Sequence, residues 1–367
     1  MTSDRQPQQR ESSVRVSTLE LFFDLVFVFT VTQLTAFLAD ELSWGNAGKA
    51  LLMLGVIWWM YGGYAWLTNT VAPSDAVRRG LLMAGMAGFL LIALAIPDAF
   101  GASGWAFGVG YFVVNAIHSG LLLRANPAAM RMLAPLNLLS AGLVLVGGFV
   151  PGDWRWAVWL AALAVQAGSP YLHPLSEWAI NSAHFVERHG LIVIVALGES
   201  IVAIGIGARD LPLDRAIVEV ALLGLVISFG LWWLYFGGDD EAAEHALDAT
   251  PPLHKGRKAI HAFGFAHWPL LFAVVAFAAG VKKAIHYADA AVYLPQALLL
   301  AGGVALFLLA DVWFRAALRI GLLRLRAIGA AVALATVPLG LVSTAGQMLA
   351  LVAVLGLVLV MEKLRHA

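Results

Sequence analysis

Acidic side chains placed inside long apolar runs are the residues of this chain best suited to chemistry. Glu199 lies about twelve residues into the nearly uncharged run that begins Glu187-Arg188-His189-Gly190-Leu191 and ends Gly198-Glu199-Ser200. Glu20 and Asp24 occupy a similar entry near the start, Glu20-Leu21-Phe22-Phe23-Asp24. A carboxylate in lipid is costly, so each of these needs a protein-lined or wet environment. A carboxylate held there can alternate between an ionised form and a protonated or cation-bound form, which is the chemistry of ion coupling. Glu199 is the principal candidate, with Asp24 as coupling partner and with Glu20 and Ser200 beside them. If its helix starts near His184, Glu199 sits roughly 20 Å along the axis, beyond the middle of the hydrocarbon layer.

Glu20 and Asp24 are four residues apart and share one helix face. Two ionised carboxylates there repel, so one holds a proton, a cation lies nearby, or a basic side chain answers them. Capping of a helix N-terminus is the structural alternative. Arg188 lies about 16 Å along the helix from Glu199, so a direct partnership needs bending of long side chains or a partner from another helix; a satisfied interhelical hydrogen bond is the structural alternative for Glu199. Glu187, Arg188 and His189 are read as an ionised supporting cluster near the inner interface. Asp311 and Arg315 form a local pair at helical spacing, while His261, His267, Asn69, Asn115, His118, Asn137 and Gln166 are candidates for interhelical hydrogen bonds. Trp58, Trp59, Tyr61, Tyr64 and Trp66 lie too deep to be only an interfacial belt and are read mainly as packing. Trp154, Trp156 and Trp159 fit anchoring at the membrane surface.

The elements that must position these groups follow from composition. Of the 367 residues 61% are hydrophobic and 13% charged, with 23 basic and 23 acidic side chains. Soluble domains carry about 25% charged residues. Apolar stretches of about 18–24 residues recur throughout, each able to cross a hydrocarbon core of about 30 Å as a helix. The short alternation of a membrane barrel is absent. The expected fold is an all-α polytopic bundle of about twelve spans, at 17–39, 48–70, 78–97, 103–124, 129–149, 154–172, 185–208, 213–236, 258–280, 291–315, 323–342 and 344–362. The last boundary rests on a very tight turn at Ser343-Thr344-Ala345-Gly346.

With residues 1–15 taken as a flexible cytosolic tail and all twelve spans crossing, seventeen basic residues fall inside and six outside, which accounts for all 23. That asymmetry predicts a cytosolic N-terminus and, on twelve crossings, a cytosolic C-terminus. Residues 237–258 form the longest polar connection and are read as a solvated cytosolic loop. His245 and His254 there lack the spacing of a zinc or calcium site. No cysteine is present, which removes disulfides, thiolate ligands and cysteine nucleophiles.

Spans one and seven echo each other when Glu20 is aligned with Glu187. Trp58-Trp59-Met60-Tyr61-Gly62-Gly63 in span two is echoed by Trp232-Trp233-Leu234-Tyr235-Phe236-Gly237-Gly238 in span eight. An even number of spans separates the two starts, so the chain divides into parallel six-span repeats at 16–172 and 173–364.

No enzyme signature, dinucleotide fingerprint or nucleic-acid-binding patch emerges, and neither a cofactor nor a metal is expected. The bilayer is the expected partner, together with a proton, a cation or a small solute. The first function expected is proton- or cation-coupled secondary transport of a small solute. The alternative is a membrane stress-response factor or interaction scaffold that transports nothing; a channel is less favoured because no repeated pore filter is evident.

The segment Leu19-Glu20-Leu21-Phe22-Phe23-Asp24-Leu25-Val26-Phe27-Val28-Phe29 closely resembles the opening signature of the bacterial low temperature requirement A family. His184-Phe185-Val186-Glu187-Arg188-His189-Gly190-Leu191, followed by Leu197-Gly198-Glu199-Ser200-Ile201, resembles its second signature. The resemblance spans about residues 15–360. It implies a membrane location, points again to Glu20, Asp24, Glu187, Arg188, His189 and Glu199, and supplies no substrate.

Overall fold

A computed structural model describes residues 16–70, 75–172, 180–209, 211–288 and 293–366; the tail expected at 1–15 lies outside them. Every regular element among the described residues is helical. The chain order is α1 (Thr18–Asp40), α2 (Trp44–Thr70), α3 (Ala76–Ala95), α4 (Gly104–Ala125), α5 (Pro127–Phe149), α6 (Trp154–Leu172), α7 (Ser182–Gly207) and α8 (Arg215–Phe236). Then come α9 (Asp239–Asp248), α10 (Pro252–Ala259), α11 (His267–His286), α12 (Leu294–Leu318), α13 (Leu323–Ala335), α14 (Val337–Gly340) and α15 (Thr344–His366). A π-helical stretch, Ile260–Phe265, fuses α10 to α11 in one rod. Counting that rod and the α13–α14 pair once each, and setting aside the short α9, the described residues form twelve long helices.

Eleven of these are long and apolar enough to cross a membrane. The exception is α6, which begins Trp-Arg-Trp and includes Gln166. Its charge is not solvated: Arg155 turns inward and donates to the carbonyls of Ala99 (2.8 Å), Gly101 (2.7 Å), Gly147 (3.2 Å) and Gly148 (3.1 Å). It thereby satisfies carbonyls at the end of α5 that the helix cannot pair itself. Residues 323–366 form two spans, because the helix stops at Gly340 and resumes at Thr344.

Large apolar side chains such as Leu94, Val146, Ile201, Leu222, Phe229 and Leu357 point outward and are exposed. A ring of such residues around a bundle is a surface for hydrocarbon rather than water. The interior belongs to α2 and α11; from Leu270 to Ile285 of α11 nearly every side chain is buried. Small residues set the closest approaches. A Cβ on Gly303 of α12 would stand 2.8 Å from the backbone nitrogen of Phe277 in α11, and one on Gly207 would stand 2.8 Å from the carbonyl oxygen of Lys282. Gly198 and Gly205, by contrast, face open space.

The two halves choose neighbours alike. In the first, α1 packs on α2 and α3, α3 on α4, α4 on α5, α5 on α6 and α6 back on α2. In the second, α7 packs on α8 and α11, α11 on α12, α12 on α13, α13 on α15 and α15 back on α8. The halves meet where α1 and α2 lie against α7 and α11.

Local sequence sets these starts. Ser17 caps α1 in a reciprocal box: its hydroxyl accepts from the Glu20 amide (3.3 Å), while the Glu20 carboxylate accepts from the Ser17 amide (2.8 Å). Asn181 caps α7 by accepting from the His184 amide at 3.2 Å. The π-helical stretch has a covalent cause nearby: Pro269 has no N–H to offer the Phe265 carbonyl. The widened turn frees the Gly264 carbonyl, which accepts the Trp58 indole N–H at 2.8 Å.

Candidate functional site

Helices α1 and α7 run side by side in the same direction. Their polar contacts pair Glu20 with His184, Asp24 with Arg188 and Thr32 with Glu199, at sequence separations of 164 to 167 residues. A nearly constant offset requires parallel helices in register. The candidate acids of both signatures therefore meet along one seam, at three depths.

At the first depth, Glu20 faces the His184 ring with Oε1 3.3 Å from Nε2. Asn69 of α2 completes this layer, donating to the Asn181 carbonyl (2.9 Å) and lying 3.2 Å from His184 Nδ1. One turn deeper, Arg188 grips Asp24 with two nitrogens, Nη1 at 3.2 Å from Oδ2 and Nη2 at 3.0 Å from Oδ1. The Tyr61 hydroxyl donates to the same carboxylate at 2.9 Å. The guanidinium also lies 5.7 Å from the ring centres of both Phe23 and Tyr61. Such a fork offsets the desolvation of both charges better than a single contact. Thus Asp24 is answered by the guanidinium of Arg188, while Glu20 is held by the Ser17 cap and faces the His184 imidazole.

At the third depth, Glu199 is 2% exposed and turns inward; its Oε2 accepts from the Thr32 hydroxyl at 2.5 Å. That partner is a neutral donor, not a cation. Ser200 is fully buried beside it, and its hydroxyl has no hydrogen-bond partner among the described residues. Between the Asp24 and Glu199 layers the seam is filled by Phe27, Val31, Ile192, Val193 and Ala196, all nearly inaccessible.

Beyond Glu199 the helices splay into a vestibule of about 740 Å³, lined by the C-terminal ends of α1, α7 and α11, the start of α2 and the turn after α3. Asp40, Glu41, Lys49, Asp98, Lys282 and His286 give it a mixed-charge wall. Its lining residues Ala36 and Ile206 lie one to two helical turns past Thr32 and Glu199, about 6–10 Å along the axes.

The expected cluster of Glu187, Arg188 and His189 is divided by the helix. Glu187 is exposed, where its Oε2 accepts from the Val16 amide at 3.4 Å. Arg188 and His189 are buried on the other side. His189 bonds the Phe185 carbonyl through Nδ1 (2.8 Å) and packs against Trp58, Phe263 and His267. Successive helical residues point about 100° apart, so three in a row do not share a face. His267 meets the Tyr235 hydroxyl at 2.8 Å through Nε2, and Tyr171 lies 3.3 Å from His261 Nε2, so both histidines hold interhelical contacts. Trp154 is exposed, but Trp159 is fully buried and donates to the Val144 carbonyl at 3.0 Å; it is core, not anchor.

A second charge centre departs further from expectation. Asp239 does not sit in a solvated loop; residues 239–248 and 252–259 are helical and Asp239 is 8% exposed. Arg315 holds Asp239 at 2.7 and 2.8 Å and Glu362 at 2.7 and 3.2 Å. Arg326 bonds Asp239 (3.0 Å), Glu362 (3.1 and 3.2 Å), Asp311 and the Leu234 carbonyl (2.9 Å). Asp311 and Arg315 do approach one another, at 3.6 Å, but as two members of five. The network ties α8, α9, α12, α13 and α15 together. In sequence Arg326 and Glu362 look like ordinary charges at span ends. Thr32 had a signal: the alignment of Glu20 with Glu187 places Thr32 opposite Glu199. Among the described residues no group of three histidine or acidic side chains is arranged to hold a metal ion.

The family described as Bacterial low temperature requirement A protein (LtrA) matches residues 15–361. A curated relative, Uncharacterized protein RA0937 of Rhizobium meliloti (strain 1021), is 28% identical over 326 residues, covering 84% of this chain and 79% of that protein. No solved structure matches.

Proposed function

The chain belongs to the bacterial low temperature requirement A family and is a multi-pass membrane protein, and from that premise we propose that it is a secondary transporter in which proton or cation binding at Glu199 is coupled to movement of a small solute. The observation that supports this reading is the environment of Glu199. It is a buried acid whose hydrogen-bond partner is a hydroxyl, placed one to two turns beneath a charged vestibule. An ionised carboxylate there lacks the paired cation that Asp24 has, so a proton or cation from the vestibule stabilises it. Asp24 and Glu20 then serve as the ionised lock on the opposite side, where Arg188 and His184 join the two halves. The apolar plug from Phe27 to Ala196 separates the two, as alternating access requires of the closed side.

Placement of the site agrees with a parallel duplication of 16–172 and 173–364. Thr32 and Glu199 are equivalent positions in the echo and touch each other. Equivalent positions touch only near the axis that relates two repeats, and transporters of repeated architecture place binding sites at the repeat interface. The charge tally puts α9, α10 and both chain ends on the cytosolic side of a bacterial cytoplasmic membrane, so the vestibule opens outward.

The test is reconstitution into liposomes containing a pH-sensitive dye, with a panel of small ions and solutes imposed as gradients. Wild-type protein gives coupled proton or cation flux; Glu199→Gln keeps the Thr32 hydrogen bond and abolishes or uncouples it. Normal coupled flux in that variant rejects the assignment. The scaffold reading is favoured by a different observation: Glu20, Asp24, Glu199, Asp239, Asp311 and Glu362 each have a donor within the bundle. It predicts no flux from the wild-type protein with any member of the panel.

A further inference from the structure

Where α9, α10 and the π-helical stretch meet the C-terminal end of α12, an open basin of about 880 Å³ is lined by Arg257, Lys258, Arg319, His254 and His261. Among the described residues no acidic side chain lines it. Neither Arg257 nor Arg319 makes an ion pair or side-chain hydrogen bond among the described residues, whereas buried Arg315, one turn before Arg319, is saturated with carboxylates. The Lys258 ammonium donates to the Ala246 carbonyl at 3.3 Å, which points it along the basin wall without neutralising it. Trp313 forms another wall, 43% exposed, and Leu253, next to the lining residue His254 in the chain, is 68% exposed. Cations, an indole and a bare leucine together mark the level where hydrocarbon gives way to headgroups.

The backbone adds an independent sign. Arg319 ends α12 with φ 61° and ψ 45°, the left-handed conformation, and is the one described non-glycine residue with positive φ. Helices commonly close in this conformation on glycine, which adopts it without a Cβ penalty. Arginine carries a steric strain there that glycine does not. A strained residue of this kind persists where its side chain is needed.

We propose that this basin binds the phosphate of an anionic glycerophospholipid from the leaflet on the α9–α10 face. Arg257 and Arg319 supply planar, multi-donor charge to the phosphate oxygens, Lys258 supplies a third charge, and Trp313 and Leu253 lie against the glycerol and upper acyl region. Each basic residue near an anionic headgroup is worth about 1 kcal/mol. Removing two of them therefore lowers selectivity for the anionic lipid by about thirtyfold.

The full-length purified protein is titrated with phosphatidylglycerol and with phosphatidylcholine, and retention is read by native mass spectrometry. Wild-type protein retains phosphatidylglycerol preferentially; Arg257→Gln/Arg319→Gln loses that preference about thirtyfold, and Arg257→Lys/Arg319→Lys keeps most of it. Arg319→Gly separates binding from folding, because it melts at a higher temperature while losing selectivity. In the unmodified protein, brominated phosphatidylglycerol quenches the emission that Trp313→Phe removes, and brominated phosphatidylcholine at the same level quenches it less. Equal retention of the two lipids by wild type, unchanged selectivity in the glutamine pair, or equal quenching overturns the proposal. So does displacement of the lipid by millimolar inorganic phosphate, which identifies a site for a free anion.

Discussion

Replacing Arg188 with methionine leaves Asp24 as a buried carboxylate with only the Tyr61 hydroxyl at 2.9 Å to answer it. Arg188 is 1% exposed and Asp24 2%, so water does not substitute for the lost guanidinium. Breaking a buried pair from one side costs about 3–5 kcal/mol. The variant also forfeits two contacts of the cation with the Phe23 and Tyr61 rings at 5.7 Å, each worth about 0.5–2 kcal/mol and included in that range. Asp24→Asn is milder, about 2–3 kcal/mol, because Arg188 keeps both rings and an amide oxygen. Combining the two removes both charges, so the double variant is more stable than the sum of the single losses by about 2–3 kcal/mol. The assay is reversible denaturation in mixed micelles, or thermal melting at about 2 °C per kcal/mol, giving a drop of roughly 6–10 °C for Arg188→Met. A loss below about 1 kcal/mol for Arg188→Met, or additivity within about 0.5 kcal/mol, refutes the view that this fork joins the two halves.

Arg326→Lys melts well below wild type, with a loss of about 3 kcal/mol, because one ammonium cannot reach Asp239, Asp311, Glu362 and the Leu234 carbonyl together; a melt matching wild type would show that charge alone suffices. Gly303→Ala costs about 1–3 kcal/mol because its Cβ meets Phe277 at 2.8 Å, whereas Gly198→Ala, which faces open space, is neutral or stabilising by up to about 1 kcal/mol; melting curves of the pair give the comparison. Trp159→Phe leaves the Val144 carbonyl without its donor and destabilises by about 1–3 kcal/mol, while Trp154→Phe at the exposed end of the same helix changes stability by less than about 0.5 kcal/mol. Thr32→Val removes the donor to Glu199 and alters the pH dependence of any coupled flux, while Thr32→Ser preserves it.

Much of the architecture could be read without coordinates, because lipid leaves few options. Apolar runs of about twenty residues must be helices there, and the count of twelve long helices, including the break between Gly340 and Thr344, follows from their number and spacing. Sequence also singled out Glu20, Asp24 and Glu199, since an acid in an apolar run is conspicuous wherever its helix ends up.

Partnership was a different matter. Helix phase shows which residues share a face, but not which other helix that face meets. Hence Arg188, four residues from His184 and eleven from Glu199 in the chain, belongs to Asp24, 164 residues away. Asp239 and Arg326 look like loop charges because each lies beside a span end, and only the closure of α15 over α12 and α13 buries them with Glu362. Trp159 and Trp154 are indistinguishable by composition and differ in the side and the depth of α6 they occupy. Sequence alone thus determined a helical membrane bundle and the acids inside it, because the bilayer constrains backbone and charge locally. Tertiary structure decided which acids are neutralised by arginine and which is left with a hydroxyl, because that depends on contacts between helices distant in the chain.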